Sequence, residues 1–347
     1  MRRSRLARRI VLCGAACALA ACSTGDSTTV RVSVPTGASV RIAADSLAKA
    51  GVVRSARLFR AFAYLSGGDR RIRPGTYEMG RGESWFAVLD ALRRGRGIVS
   101  TVTIPEGFAL EQIEPLLAGK LGVPLDSVRA AATDTALLAR LDLPTPTLEG
   151  YLFPDTYTFP EGTTAREAVG AMVAQFERTW KPAWTARLDT IDMSRNDLMT
   201  LASIVEKEAK LPEERPVIAA VYMNRLRAGM LLQADPTVQY ALPQHETRLL
   251  YKDLKVKSPY NTYRHLGLPP GPIASPGKAS ILAALYPAHV PYKYFVAAPD
   301  GHHEFRVDYK GHEAAVREMR RERAALARAD AARKDTTRAR PPVRKRD

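Results

Sequence analysis

Cysteine is nearly absent from this chain of 347 residues, because its three cysteines, Cys13, Cys17 and Cys22, all lie close to the N-terminus. A disulfide framework, a zinc site with cysteine ligands and a cysteine nucleophile are therefore excluded for the residues that follow. A body without cysteine is compatible with an oxidising compartment.

The N-terminal segment also lacks an apolar run long enough for a membrane-spanning helix. Residues 10–21 are mostly apolar, whereas a hydrocarbon core requires about 20 residues. Five arginines precede this run, and small residues stand directly before Cys22, an arrangement that resembles a bacterial lipobox. We expect residues 1–22 to be a lipoprotein-type signal peptide and Cys22 to carry the lipid anchor. The protein would then face the periplasm or the outer side of the cytoplasmic membrane; an ordinary signal peptide or a short signal anchor is the alternative.

A basic patch is lacking from the body of the chain, although the net charge is +16. The leader holds five arginines, and residues 317–347 carry twelve basic and five acidic side chains. Since the positive charge lies mostly at the two ends, no nucleic-acid partner is expected. We interpret residues 317–347 as a basic tail in which a helix gives way to disorder, with a role in solubility or in weak attraction to anionic lipid or wall polymer.

Two similar segments mark the N-terminal half. Residues 32–37 and 102–107 each read as a short alternating strand that ends in a Pro-x-Gly turn, the second being Pro105-Glu106-Gly107. Helical spacing of apolar residues follows each turn, which predicts strand–turn–helix units in a small module over residues 30–140. Such units are typical of a LysM-like carbohydrate-binding module, and equally of a generic α/β packing domain.

A helix with an apolar stripe is predicted after Asp197, which we expect to cap it, and Pro212 should end it. Glu206 lies at the edge of the stripe, beside Val205. Partial burial would favour the protonated form of this carboxyl group, the form that can donate a proton to a leaving oxygen. A surface ion pair between Glu206 and Lys210 is the alternative, and periodicity alone favours it. A second helix should end near Gly229.

Several ordered motifs together resemble the MltG (YceG-like) family of endolytic murein transglycosylases. They are EGYLFPDTY at 149–157, ASIVEKEAK at 202–210, LQADPTVQYAL at 232–242 and YNTYRHLGLPPGPIASPG at 260–277. The resemblance extends over residues 32–316. It implies an α+β fold in which a LysM-like module precedes a larger, mainly helical catalytic domain at 141–316 that ends in a hairpin. Relatives typically begin with a membrane-spanning helix, whereas this chain begins with a lipobox-like leader.

The resemblance also implies a reaction. Glu206, the first glutamate of Val205-Glu206-Lys207-Glu208, would act as acid and then base in cleaving the β-1,4 bond between N-acetylmuramic acid and N-acetylglucosamine. The product would carry a 1,6-anhydromuramic end, and cleavage would terminate nascent glycan strands. No cofactor is implied; peptidoglycan strands and the penicillin-binding synthases that extend them are the expected partners.

A glycan groove requires stacking faces and hydrogen-bonding groups. The candidates are concentrated in the segments that match the family: Tyr151, Phe153, Asn224, Arg225, Gln233, Asp235, Thr237, Tyr260, Asn261, Thr262 and Tyr263. For each one a structural role is a comparable alternative. A second acid is not required by the implied mechanism, but Glu149, Asp155 and Asp235 are candidates.

Other motifs are weaker. Residues 271–278 differ from a P-loop in spacing, and Ser275-Pro276-Gly277-Lys278 resembles the nucleophile motif of penicillin-binding enzymes without its companion motifs. We interpret Ser275 as the cap of a helix over 278–285. His302, His303 and His312 lack metal-ligand spacing, so no metal is expected. Competing functions are a muramidase, a non-catalytic wall-binding lipoprotein and an acyl-serine enzyme.

Overall fold

The computed structural model of the protein describes residues 28–35, 37–67, 72–95, 97, 99–244 and 249–338. The predicted signal peptide with Cys22, and the tail beyond 338, lie outside this part. In chain order the elements are β1 (Thr29–Val34), α1 (Val40–Lys49), α2 (Ala56–Leu65), β2 (Gly75–Gly80), α3 (Trp85–Arg94), β3 (Val99–Thr103), α4 (Leu110–Leu121), α5 (Leu125–Ala132), α6 (Thr135–Leu141), β4 (Thr156–Pro160), α7 (Ala165–Thr179), α8 (Pro182–Ile191), α9 (Arg195–Glu208), α10 (Arg215–Arg227), α11 (Asp235–Ala241), α12 (Lys278–Leu285), β5 (Tyr294–Ala297), β6 (His303–Arg306) and α13 (Tyr309–Arg338).

The chain divides into two compact units. The described residues of Met1–Val102 form the first unit with Lys120–Gly122 and Tyr157–Thr164, and the remaining residues from 103 onward form the second. The division lies near residue 102, and the predicted module boundary at 140 falls within the second unit. The reason is local: Ser275 exchanges backbone hydrogen bonds with the segment after Thr103, which fixes that segment in the second unit.

The first unit has its core between a two-stranded sheet and three helices. β1 pairs antiparallel with β2, and Val32 lies opposite Tyr77. Both side chains are buried, together with Leu47, Phe59 and Leu92 from the three helices. Alternation of buried and exposed side chains along β1 gives the strand one apolar face, which explains why it packs on helices. The strand–turn–helix pattern predicted for residues 32–49 is confirmed.

Three mutually packed helices of the second unit, α9, α10 and α12, position the candidate site. Ser194 caps α9: its hydroxyl accepts a hydrogen bond from the Asp197 backbone N–H, and the Asp197 carboxylate accepts one from the Ser194 N–H. Asp197 is thus the third helical residue and not the cap that we predicted. Every residue from Leu198 to Val205 is buried, so Glu206 follows directly on the innermost part of the fold.

Other helix ends agree with the sequence only in part. Gly229 has φ = 62° just after α10, as predicted for a helix stop. The helix over 278–285 is present, but Gly277 caps it in place of Ser275. The C-terminal hairpin is confirmed: β5 pairs antiparallel with β6. Helical structure in α13 continues from Tyr309 to Arg338 and so extends well beyond residue 317, where we placed the start of the tail.

In the part of the chain that the structure describes, long helices combined with three two-stranded sheets confirm the α+β class. Within the ranges that the structure describes, no helix is both long and apolar enough to cross a membrane.

Candidate active site

The Glu206 carboxylate is held at the end of α9 by two donors from different helices. Oε2 accepts a hydrogen bond of 3.0 Å from the backbone N–H of Gly277, and Oε1 lies 3.5 Å from a terminal nitrogen of Arg215. Only 7% of the Glu206 side chain is exposed. The alternative of a surface ion pair with Lys210 is therefore wrong, because the carboxylate is directed inward to α10 and α12.

Arg215 is itself fixed. It is the first residue of α10, 14% of its side chain is exposed, and its Nε donates a hydrogen bond of 3.0 Å to the Ser280 hydroxyl of α12. The guanidinium thus connects the helices on both sides of Glu206. A charge-assisted contact of this kind stabilises a carboxylate and limits its rotation.

A second carboxylate, that of Glu106, lies beside the same glycine. The backbone N–H of Gly107 donates to the Ser275 carbonyl and the Ser275 N–H donates to the Phe108 carbonyl, both at 2.8 Å. These bonds hold the loop that contains Glu106 against Ser275, in the segment that precedes α12. A Cβ atom at Gly277 would lie 2.0 Å from Cδ and Oε1 of Glu106, so this carboxylate rests against the Gly277 Cα. Burial raises the pKa of Glu106, the Glu206 charge raises it further, and Arg215 acts in the opposite direction.

Two cavities are each lined by a neighbour of Glu206: Lys207 lines the first, and Glu106 lines the second. The first cavity, of about 300 Å³, is lined in part by polar side chains, among them Lys207, Gln112, Gln239 and Tyr240. A second cavity, of about 350 Å³, is lined by a carboxylate, basic and polar side chains and one aromatic ring: Glu106, Phe153, Gln175, Arg178, Thr179, Lys181 and Lys278. An inward carboxylate with polar clefts and an aromatic side chain close by is an arrangement suited to acid–base chemistry on a polar substrate such as a sugar chain.

The sequence profile of the YceG-like family matches residues 32–318. The chain belongs to the YceG-like family. Its relatives include a Bacillus subtilis (strain 168) protein named endolytic murein transglycosylase, 34% identical over 82% of this chain and 83% of that protein. A protein of the same name from Streptococcus pneumoniae serotype 2 (strain D39 / NCTC 7466) is 30% identical over 77% of this chain and 54% of its own length.

A solved YceG-like structure is also similar. The crystal structure of a yceG-like protein from Listeria monocytogenes matches with a TM-score of 0.58 and 31% identity, covering 84% of this chain and 100% of the other. The family resemblance predicted from the four motifs is therefore confirmed.

Several residues predicted to face the substrate are instead buried in the wall of the YceG-like second unit. Tyr151, Arg225, Thr237, Asn261 and Thr262 are each less than 10% exposed. Tyr151 packs edge-on against Phe176 with ring centroids 5.1 Å apart. Burial of these five side chains favours the structural role that the sequence left open over direct contact with a substrate.

Their polar groups are used to hold loops together. Arg225 donates to the carbonyls of Lys293 and Leu232, each at 2.6 Å. The Asn261 amide donates to the carbonyls of Leu254 and Val256. The half-buried Asn224 donates in the same way to the carbonyls of Val290 and Tyr292, just before β5, which favours a structural role for it.

Two threonine hydroxyls contact each other at the start of α11. The hydroxyls of Thr237 and Thr262 lie 2.8 Å apart, and the Thr262 hydroxyl also accepts a bond from the Ala234 N–H. Hydrogen bonds therefore join the LQADPTVQY motif to the YNTY motif.

Four of the remaining predicted groove residues are more accessible: Gln233 and Asp235 are exposed, and Tyr260 and Tyr263 are half-buried. Phe153 is buried but lines the second cavity. Tyr263 donates a hydrogen bond of 2.5 Å to Asp235. These five remain candidates for contacts with a substrate.

The candidates for a second acid are bonded to groups other than those that hold Glu206. Glu149 is 4% exposed and both its oxygens accept from the Leu110 N–H at the start of α4. Burial raises the pKa of Glu149 to about 7. Asp155 is exposed and accepts a bond of 2.7 Å from Gln175, and Asp235 is bound to Tyr263.

Sequence reasoning missed four residues that lie close to Glu206. Glu106 and Gly107 were read only as part of a turn, Arg215 was not singled out, and Gly277 was assigned to a rejected motif. A detectable signal was the pairing of a Pro-Glu-Gly turn with a second glycine before a helix. Ser275, the candidate acyl nucleophile, is fully buried, so an external substrate cannot reach it. Among the described residues no group of three or more His, Cys, Asp or Glu side chains is arranged to hold a metal ion.

Proposed function

We propose that this protein is an endolytic murein transglycosylase in which Glu206 is the catalytic acid and base. The observation that carries the proposal is the inward Glu206 carboxylate, held by Gly277 and Arg215. The next residue, Lys207, lines one cleft, and Glu106 lines another. Family membership and the names of the relatives support the substrate class.

The reaction uses the carboxyl group twice. Protonated Glu206 gives its proton to the glycosidic oxygen that leaves C1 of N-acetylmuramic acid. The C6 hydroxyl of the same sugar then attacks C1, and the Glu206 carboxylate takes the hydroxyl proton. A 1,6-anhydro ring forms, the glycosidic bond breaks, and the carboxyl group is protonated again, so no water is consumed.

Gly277 and Arg215 have a defined part in this cycle. Both are donors, so they stabilise the negative charge that Glu206 acquires when the leaving oxygen takes its proton. They also hold the carboxylate in place for the second proton transfer. Hydrogen-bonded orientation of this kind reduces the cost of reaching a reactive geometry.

A muramidase is the second candidate, and one observation favours it. Glycoside hydrolases use two carboxyl groups, and Glu106 is a second carboxylate beside Glu206. In that case water would take the place of the C6 hydroxyl, and the product would have a reducing end.

Further aspects rest on the sequence. We propose that Cys22 anchors the protein to a membrane from the periplasmic or outer side, that the first unit binds glycan as a LysM-like module, and that the enzyme cleaves strands close to the peptidoglycan synthases that make them. Strand termination is then the expected outcome of cleavage.

Product analysis tests the proposal. The protein lacking residues 1–22 is incubated with uncrosslinked glycan strands in water enriched in heavy oxygen, and the fragments are weighed by mass spectrometry. We expect ends that are one water lighter than reducing ends and that carry no heavy oxygen. Reducing ends that carry the label would assign a muramidase, and binding without cleavage would favour the wall-binding lipoprotein.

A further inference from the structure

Glu106 is a second acidic group whose place beside Glu206 is built into the fold. The two backbone hydrogen bonds of 2.8 Å between its loop and Ser275 fix the register of the loop. Gly277 contacts both glutamates. Its N–H donates to Glu206, and the Glu106 carboxylate packs against its Cα. Any side chain at 277 would displace Glu106, so the glycine is what permits the two carboxylates to approach.

The charges around the two carboxylates are unequal. Arg215 is the cation that bonds to Glu206. Lys207, the next residue of α9, donates to the Gly107 carbonyl at 3.3 Å. The remaining cations near this centre come from α7, the cap of α8 and the start of α12, and they line the cavity of Glu106: Arg178, Lys181 and Lys278.

We propose that Glu106 is a positioning residue for the transglycosylase reaction: its carboxylate faces Glu206 across Gly277, and the two groups together retain one proton that Glu206 delivers. This inference rests on the proposed function, since it assigns Glu106 a part in that same reaction.

The physical reason is repulsion between like charges at close range. Two carboxylates that share one arginine cannot both ionise without cost, so loss of a proton from one opposes its loss from the other. The direction of the pKa of Glu106, raised by burial and then by Glu206, agrees with this coupling.

The pH dependence of kcat tests this role, because substitution of a residue with only a structural role would not change it. Glu106→Gln removes one of the two repelling charges, so Glu206 should lose its proton at lower pH. We expect the alkaline limb of the kcat profile on uncrosslinked strands to move down by about one pH unit. Activity at low pH should be largely retained. Glu106→Asp keeps the charge and should keep the limb within a few tenths of a unit of the unmutated position. If the Gln variant does not fold, Glu106→Ala, which removes the same charge, should move the limb in the same direction.

The matched control is Glu213→Gln, which removes an equal charge from an exposed position. Its profile should coincide with that of the unmutated protein. An unmoved limb in Glu106→Gln, or an equal loss of kcat at every pH, would overturn the inference while cleavage by the unmutated protein upheld the proposed function. No cleavage by the unmutated protein at any pH would overturn both.

Discussion

The backbone N–H of Gly277 donates a hydrogen bond of 3.0 Å to Oε2 of Glu206. The two residues are far apart in the sequence, and they meet because α12 begins at the point where α9 ends. The bond directs the carboxylate inward and leaves no ambiguity over which glutamate of the Glu-Lys-Glu sequence enters the site.

Substitution of Gly277 should impair catalysis more than folding. In Gly277→Ala the new Cβ would lie 2.0 Å from the Glu106 carboxylate, so that the side chain or the loop must move. We expect kcat to fall by about 10- to 100-fold while the circular dichroism spectrum is unchanged, because displacements near 1 Å have effects of this size.

Gly119→Ala is the matched control for that experiment. Gly119 lies in α4, and a Cβ there would meet no atom within 4 Å. Alanine should raise stability by about 0.5–1 kcal/mol and leave kcat unchanged. Equal activity of Gly277→Ala and Gly119→Ala would contradict the role assigned to Gly277.

Arg215 should be required for the geometry of Glu206. In Arg215→Lys the charge is kept, but one ammonium group cannot contact both Ser280 and Glu206 as the planar guanidinium does. We predict a loss of about 10- to 100-fold in kcat with little change in KM, since an oriented donor to the reacting group is removed. Arg227→Lys, at the exposed end of α10, is the control and should behave as the unmutated protein; similar kinetics for the two variants would refute the prediction.

The C-terminal hairpin should depend on a buried contact between Glu214 and His303. The Glu214 oxygens lie 2.7 Å from the His303 backbone nitrogen and 2.6 Å from its Nδ1. Both side chains are largely buried, so Glu214→Ala leaves polar groups of His303 without a partner. We predict a loss of about 2–4 kcal/mol in the free energy of unfolding, measured with urea. Glu213→Ala, its exposed neighbour, should change it by less than about 0.5 kcal/mol.

Glu149 should make stability fall as pH rises. Its pKa is raised to about 7 in the folded protein, mainly by burial, against a model-peptide value of 4.5. Between these values the folded state holds more protons than the unfolded state, so the unfolding free energy decreases with pH through this window. The contribution is complete below the unfolded value and lost as pH passes about 7.

The variant Glu149→Gln removes this titration and retains an acceptor for the Leu110 N–H. Relative to the unmutated protein, it should gain about 1–3 kcal/mol in urea unfolding between pH 5 and pH 8. Glu111→Gln, an exposed neighbour, should show no such trend. A constant difference between Glu149→Gln and the unmutated protein at both pH values would disprove the assignment.

The sequence was sufficient where local rules decide the outcome. The apolar stripe predicted α9 and the Gly229 stop, and the order of four motifs predicted the family. The family resemblance implied the C-terminal hairpin, and its two strands are present.

The sequence was insufficient where polar residues have two possible roles. Composition does not distinguish a tyrosine that stacks on a sugar from Tyr151, which is packed on Phe176, or an arginine that binds substrate from Arg225, which holds three backbone carbonyls. Glu106 was missed for another reason. Its role depends on Gly277, and the proximity of two residues so distant in sequence is created only by the packing of the Glu106 loop against the segment before α12.

The most direct test of the central claim compares the two glutamates of the Glu-Lys-Glu sequence. Glu206→Gln and Glu208→Gln remove the same charge two residues apart, but Glu208 accepts a hydrogen bond from Tyr222 and does not share the Gly277 contact. Release of anhydro-ended fragments from uncrosslinked strands should fall by at least about 10³-fold in Glu206→Gln, since the proton donor is lost. It should stay within a few-fold of the unmutated rate in folded Glu208→Gln. Retained cleavage in Glu206→Gln would contradict the account.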